Sequence, residues 1–367
     1  MKTELDPNGL PSPWQGDGSG VRLTLAMLFD NHFHDGAVTV TPLKGDGSDR
    51  RIYRVSGDRL SVIGIQGLNI AENRAFIGFS RTFLRHGLSV PELFVVSDDE
   101  AFYLETDFGD VTLYEWQKSR RVGDGFPREV FDLYAKVLRL LPEFQIRAGR
   151  DLDYALCYQY PEFAEDAMWF DARYFEEMFL GQFPVGDIDS AVFAGECARL
   201  IAWLCGADRS HFLYRDFQSR NIMIADGEPH FLDYQSGRRG ALQYDAASLL
   251  YDANAELPED VRRQLLDVYI DAIEADLAVD RSSFIELFDG FAIMRVMQAL
   301  GAFGNLGLRK SKRRFLGSIP SALRNLATLT ARAEVMRHLP YLRSLFARIA
   351  ADDLLLSITE EYERPSH

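Results

Sequence analysis

Asp216, Asn221 and Asp233 are the residues whose types and spacing point most directly to chemistry. In Tyr214-Arg215-Asp216-Phe217-Gln218-Ser219-Arg220-Asn221 a carboxylate and a carboxamide stand five residues apart, and Phe231-Leu232-Asp233-Tyr234 adds a second carboxylate seventeen residues after the first. Phosphoryl transfer needs one carboxylate to orient or deprotonate an acceptor hydroxyl, and oxygen ligands to hold the magnesium ions that offset the triphosphate charge. Asp216 fits the first task, Asn221 and Asp233 the second. Between them, Asn221-Ile222-Met223-Ile224 and His230-Phe231-Leu232 are short apolar runs around the turn Ala225-Asp226-Gly227-Glu228-Pro229. That pattern predicts a hairpin with Asn221 and Asp233 at one end. Singly, an Asp or Asn beside a turn reads as readily as a capping or turn residue; the ordered set is what points to catalysis.

The elements that must position this set divide the chain into two parts. Residues 1–20 read as a leader, and Val21–Phe33 carries apolar residues at helical spacing. Ala37–Leu43, Arg51–Val55 and Leu60–Ile65 are β-rich runs separated by Gly and Asp, which predicts an antiparallel meander. A helix over Ala71–His86, stopped by Gly87, and two further strands, Glu92–Ser97 and Ala101–Thr106, complete a small sheet unit. From about Val111 the periodicity is helical, over Glu129–Phe144, Ala191–Gly206, Val261–Asp276, Ser283–Leu300 and Tyr341–Ile358. The β-like, loop-like stretch around Asp216 interrupts that half, and loops on a rigid scaffold are where chemistry tends to sit. The expected boundaries are a leader and helix over 1–35, a sheet unit over 36–110 and a helical unit over 111–367. This is an α+β, two-lobed layout.

The residues resemble the aminoglycoside phosphotransferase-like, or protein-kinase-like, small-molecule kinases. YRDFQSRN is similar to that family's catalytic loop and FLDYQ to its metal-binding segment; GDGSDRRIYRV, AENRAFIGFSRTFL, VPELFVVSDDEAFYLETDFGD and YDAASLLYD resemble the branch of anomeric sugar kinases acting on N-acetylmuramate and N-acetylglucosamine. The resemblance runs from about Gly45 to Asp252. It implies a protein-kinase-like fold with a sheet N-lobe and a helical C-lobe, Asp216 as catalytic base, and Asn221 and Asp233 as metal ligands. ATP and Mg²⁺ are the implied cofactors.

Two departures matter. The family's leading His is Tyr214 here, at a position that usually serves as scaffold. The third strand, Arg59–Gln66, lacks the family's phosphate-binding Lys. Gly45, Gly47 and Ser48 can bring backbone N–H groups close to phosphate oxygens, and Arg50 or Arg51, whose forks suit phosphate, is the expected substitute, with Glu72 as anchor. Glu72 reads equally well as a first-turn acid at its own helix N-terminus. Asp107-Phe108-Gly109 spells a protein-kinase metal motif but precedes the catalytic loop by about a hundred residues, so order rules it out. The resemblance instead places Glu105 to Gly109, Asp107 included, along the adenine pocket. It also implies that Asp245 braces the catalytic loop, through Arg215 or Arg220; an N-cap role for Asp245 suffices by itself.

For the acceptor, Gln218 and Arg220 lie inside the loop, and Trp169, Asp171, Arg173 and Tyr174 on an aromatic-rich helical segment; aromatics at such spacing are also ordinary core. The resemblance favours a small sugar, an amino sugar phosphorylated at the anomeric position. A drug-modifying or choline-type kinase on a cationic acceptor, and a non-catalytic kinase-like binding module, are the alternatives.

Composition narrows the partners. The chain has 367 residues, 47% hydrophobic, with 40 Lys and Arg against 55 Asp and Glu, a net charge of −15. That field repels polyanions, so no nucleic-acid partner is expected. Val296–Leu308, the longest uncharged apolar stretch, falls short of the ~20 residues a membrane span needs. The N-terminal stretch carries acids, Pro and Gly where a signal peptide would be apolar, and Cys157, Cys197 and Cys205 lack metal spacing; a cytoplasmic protein with reduced thiols is expected. His32 and His34 have no third ligand nearby, and Arg309–Arg314 reads as a solvated turn or an anion site.

Overall fold

The computed structural model describes residues 18–43, 50–121, 125–183 and 185–350. Gly45, Gly47 and Ser48, expected against phosphate, lie outside the described residues. The chain divides into two compact units, 1–81 with 91–108, and 82–90 with 109–367.

The first unit is a five-stranded antiparallel sheet. Its strands are β1 (Thr39–Pro42), β2 (Arg51–Ser56), β3 (Ser61–Gln66), β4 (Leu93–Val96) and β5 (Phe102–Thr106), in the order β1-β2-β3-β5-β4. The meander appears as expected, with Arg51 opposite Gln66 and Ser56 opposite Ser61. Helix α1 (Ser19–Phe33) packs Leu25 and Phe29, both fully buried, against Tyr53, Val55, Val62 and Leu104. It therefore belongs to the sheet unit. Gly64 makes this approach possible, because a Cβ there would stand 2.9 Å from Val55 Cγ2 and 3.0 Å from Leu25 Cδ2. Helix α2 (Ile70–Arg85) buries Ala75, Phe76 and Phe79 and stops at Gly87, whose φ of 72° is left-handed and suits glycine.

The second unit is helical: α3 (Leu113–Arg120), α4 (Arg128–Pro142), α5 (Glu165–Phe175), α6 (Ser190–Leu204), α7 (Gln243–Leu250), α8 (Glu259–Ile273), α9 (Arg281–Gly304), α10 (Ile319–Arg332) and α11 (Pro340–Ile349). Three of them run on into single π turns, Glu143–Arg147, Glu176–Leu180 and Asn305–Arg309. Two small antiparallel pairs complete it: β6 (His211–Leu213) with β9 (Arg238–Gly240), and β7 (Ile222–Ala225) with β8 (Glu228–Phe231).

Helix α9 is the central element, packing against α5, α7 and α10. With its π turn it is long and apolar enough to cross a membrane by length and composition alone. Glu286, Asp289 and Arg295 interrupt its apolar sequence. Of its most apolar window 61% is buried inside this unit, as in a core helix. Gly304 lets it pass the α5 π turn, where a Cβ would collide with the carbonyl of Met178.

Candidate active site

Strand β6 delivers the chain into the loop Tyr214–Arg220, and a buried carboxylate shapes the entry. Asp245, on α7, accepts from the amides of Tyr214 (2.7 Å) and Arg215 (2.9 Å), and from Gln145 Nε2 (2.8 Å). It lies past the first residue of its helix and is not the cap there, so the N-cap reading is overturned; the expected bracing of the loop through Arg215 is present, made by the Arg215 backbone amide. Gln145 is in turn held by the Tyr269 hydroxyl. Burial pushes the Asp245 carboxyl up to about 7, against the pull of the two amides and Gln145.

Arg215 takes a left-handed φ of 80°, uncommon for a long side chain. Its guanidinium forks onto Asp171, Nη1 to Oδ2 at 2.8 Å and Nη2 to Oδ1 at 2.7 Å, between the rings of Phe163 and Tyr244. Burial works against the Arg215 charge, but Asp171 outweighs it and raises the guanidinium above its ordinary value. Asp171 is 1% exposed with both oxygens engaged, which corrects the expectation that it meets acceptor hydroxyls. Its partner in the loop was not visible from spacing.

The next residue, Asp216, is half-buried, and its carboxylate has no hydrogen bond among the described residues. Burial first, and the Asp233 charge second, raise it above the usual carboxylate range. Ser219 ties the far side of the loop to Asp252, amide to Oδ2 at 3.1 Å with the hydroxyl on the same oxygen.

The hairpin pairs Ile222 with Phe231 and Ala225 with Glu228. The expected convergence is present: Asn221 Nδ2 donates to Asp233 Oδ2 at 3.1 Å and to the carbonyl of Asp216 at 2.9 Å. Asp233 also sits in the left-handed region, φ 68°, with Gln235 Nε2 on its Oδ1 at 2.8 Å. Tyr214, fully buried, donates its hydroxyl to the carbonyl of Leu232 and so fastens the loop to the segment carrying Asp233. Among the described residues no three His, Cys, Asp or Glu stand together as a metal cage. A hard cation held by Asn221 Oδ1 and Asp233 would complete its oxygen shell from water and phosphate, the habit of magnesium. The oxygen-only donor set fits that ion.

In the first unit, Arg50 meets Glu72, Nε to Oε1 at 3.3 Å, with Nη1 on the Tyr103 hydroxyl at 3.2 Å and the guanidinium 6.0 Å from the Phe76 ring centre. Arg51 opens β2. Glu105 is buried in β5, and Asp107 receives Arg54 (2.7 and 3.1 Å) and the Ser61 hydroxyl (2.7 Å). On the acceptor side, Arg220 lies 4.1 Å over the Tyr114 ring and Gln218 is half-buried, its carbonyl accepting the Asn221 amide. Trp169 stacks near Arg173, and Tyr174 accepts from Asn305 Nδ2 at 3.0 Å. Phe170, 55% exposed, stacks parallel on Tyr174 at 6.0 Å. Gln235, Asp252 and the buried arginines Arg238 and Arg295 were missed from sequence. Burial pushes the Cys197 thiol to about 12 and Cys157 to about 11, so neither is a nucleophile.

Known proteins resemble this chain in sequence and in fold. The chain is 25% identical over 298 residues to the N-acetylmuramate/N-acetylglucosamine kinase of Pseudomonas aeruginosa, covering 79% of this chain and 83% of that protein. It is 24% identical over 291 residues to the protein of the same name from Pseudomonas putida, with 77% and 81% covered. Its fold is similar to choline kinase LicA from Streptococcus pneumoniae, with a TM-score of 0.57 at 14% identity, covering 84% of this chain and 100% of that one. The phosphotransferase enzyme family (APH) matches residues 39–281. The chain therefore belongs to that phosphotransferase family, with its protein-kinase-like fold, and is an ATP-dependent small-molecule kinase.

Proposed function

We propose that the acceptor is a small amino sugar, of the N-acetylmuramate or N-acetylglucosamine kind, phosphorylated at its anomeric hydroxyl. The observation that carries the site assignment is the Asn221–Asp233 contact beside an Asp216 carboxylate that no described residue engages. The acceptor class rests on the names of the Pseudomonas relatives.

In this reading Asp216 accepts the hydrogen bond of the sugar hydroxyl and takes its proton as the phosphoryl group arrives. A carboxylate raised by burial and by Asp233 is the better base for that step. Asp245 holds the Tyr214 and Arg215 amides and Asp171 the Arg215 guanidinium, so the residue before Asp216 is fixed before the acceptor binds. Asn221 and Asp233 would hold Mg²⁺, which would supply positive charge against the nucleotide phosphates. Arg50, kept in place by Glu72, supplies the cation for the nucleotide phosphates that the third strand lacks, and the sheet unit to about residue 110 serves the nucleotide while the helical unit serves the acceptor.

The test is ATP consumption with N-acetylmuramate, N-acetylglucosamine, other free hexoses, choline and kanamycin, by the unchanged protein and by Asp233→Ala. Turnover confined to amino sugars and lost in the variant, with the melting temperature kept, supports the reading. Turnover of choline or kanamycin instead overturns the acceptor, and an active Asp233→Ala overturns the metal assignment.

A further inference from the structure

Among the described residues Arg238, Arg262 and Arg295 are buried in the helical unit, and of these Arg262 has an acidic partner. Arg262 reaches Glu259 at 3.4 Å. Arg238, 3% exposed, and Arg295, 9% exposed, have no carboxylate within ion-pair distance among the described residues. Neutral groups hold them. Arg238 donates from Nε (3.0 Å) and Nη2 (2.9 Å) to the carbonyl of Ser236 and from Nη2 to Gln159 Oε1 at 2.8 Å. Arg295 donates Nε to Ser248 Oγ at 2.9 Å and Nη1 to Gln298. Nη1 of Arg238 and Nη2 of Arg295 have no acceptor among the described residues, and neither is a fully enclosed atom. Asp171 and Asp216 act on Arg238 from beyond ion-pair distance, and a buried guanidinium still favours an anion that meets it at contact.

Both sit around the catalytic loop. Arg238 pairs across β6–β9 with Leu213, the residue before Tyr214. Arg295 is bonded to α7, the helix whose Asp245 shapes the loop. Both charges act on Asp216, favouring its ionised form. Arg238 also lies 5.7 Å from the ring centre of Tyr160, which leads through Phe170 (6.5 Å) to Tyr174, an aromatic row with an exposed member at its centre.

We infer that Arg238 and Arg295 form an anion subsite beside Asp216, so that the preferred acceptor is a sugar bearing a carboxylate. The inference rests on the amino-sugar reading for where the acceptor lies, and it gives that acceptor a charge. It runs against the net charge of −15, which favours a cationic acceptor only at long range, whereas two desolvated guanidinium groups act at contact. The aromatic row supplies faces for a sugar ring, and the arginine forks accept a carboxylate.

Calorimetric titration in the presence of Mg²⁺ and a non-hydrolysable ATP analogue tests it, comparing N-acetylmuramate with its carboxyl methyl ester, which keeps shape and loses charge. The unchanged protein should bind the acid about 30-fold more tightly or better, the effect of losing one partner of a buried charge pair. Arg238→Gln and Arg295→Gln should each lose that preference, so that acid and ester bind them within about twofold of each other. Arg238→Lys, which retains the charge, guards against misfolding and should retain part of the preference. Equal binding of acid and ester by the unchanged protein, equal weakening of both by the Gln variants, or no binding of either would overturn the inference. The amino-sugar reading fails separately, by absence of sugar-dependent ATP turnover, while the arginines are judged on the binding difference.

Discussion

Asp171 offers the sharpest contrast between two kinds of role. If it holds Arg215, Asp171→Ala leaves a guanidinium that is 11% exposed, and pinned between Phe163 and Tyr244, without its counter-charge. Breaking one side of a buried, bidentate pair costs about 3–5 kcal/mol. For a unit of this size that is a fall in melting temperature of about 5–10 °C. Arg215→Gln should cost a similar amount, because it strands Asp171 at 1% exposure. The double variant then removes both charges together and should be less destabilised than the sum by about 2–3 kcal/mol. Chemical denaturation of the four proteins gives the coupling, and steady-state kinetics gives the functional effect. The loop residue beside Asp216 is displaced in each variant, so kcat should fall for every acceptor with little change in acceptor KM. Unchanged stability, additive costs and a raised acceptor KM alone would mean that Asp171 is a sugar ligand after all, and the positioning argument would be refuted.

Other outcomes follow from neighbouring contacts. Arg50→Ala should raise the KM for ATP about tenfold and leave the acceptor KM unaltered, since the loss is of one charge-assisted phosphate contact; equal effects on both substrates would count against a nucleotide role. Tyr214→Phe, which strips the partly buried Leu232 carbonyl of its donor, should destabilise by about 1 kcal/mol in urea melts. Asp216 is raised, so kcat/KM for N-acetylglucosamine should drop as pH falls through a value above the ordinary carboxylate range. Arg295 favours the ionised form, so removing its charge in Arg295→Gln raises Asp216 further; the acid limb should move to higher pH, and a shift the other way would contradict the placement. Gly304→Ala should unfold the helical unit at markedly lower temperature, because the new methyl group meets backbone rather than a yielding side chain.

The hairpin end was legible because its signals are local. A turn rich in Asp, Gly and Pro between two apolar runs fixes which residues face each other, and Asn221 and Asp233 meet within that geometry. The sheet was legible for the same reason, from alternation and turn residues. The contacts that tune the site were not. Arg215 finds Asp171 forty-four residues away on a helix whose pattern signals only aromatic core, and Asp245 reaches backbone amides, which carry no side-chain signature. Arg238 stands in the run Gly237-Arg238-Arg239-Gly240, where the sequence does not separate the buried arginine from the exposed one beside it; strand alternation in β9 does. The π turns that end α4, α5 and α9 have no turn residue in common that would mark them in the sequence.

The two carboxylates around Arg215 also impose an order on synthesis. Asp171 precedes the loop in the chain, but Asp245 follows Arg215 by thirty residues. While the chain emerges from the ribosome, the left-handed turn at Arg215 has its side-chain anchor available and its amide anchor missing, so the loop's final shape waits for α7. A chain stopped between Asp233 and Asp245 would hold Asp216, Asn221 and Asp233, yet it would lack the group that sets them in place.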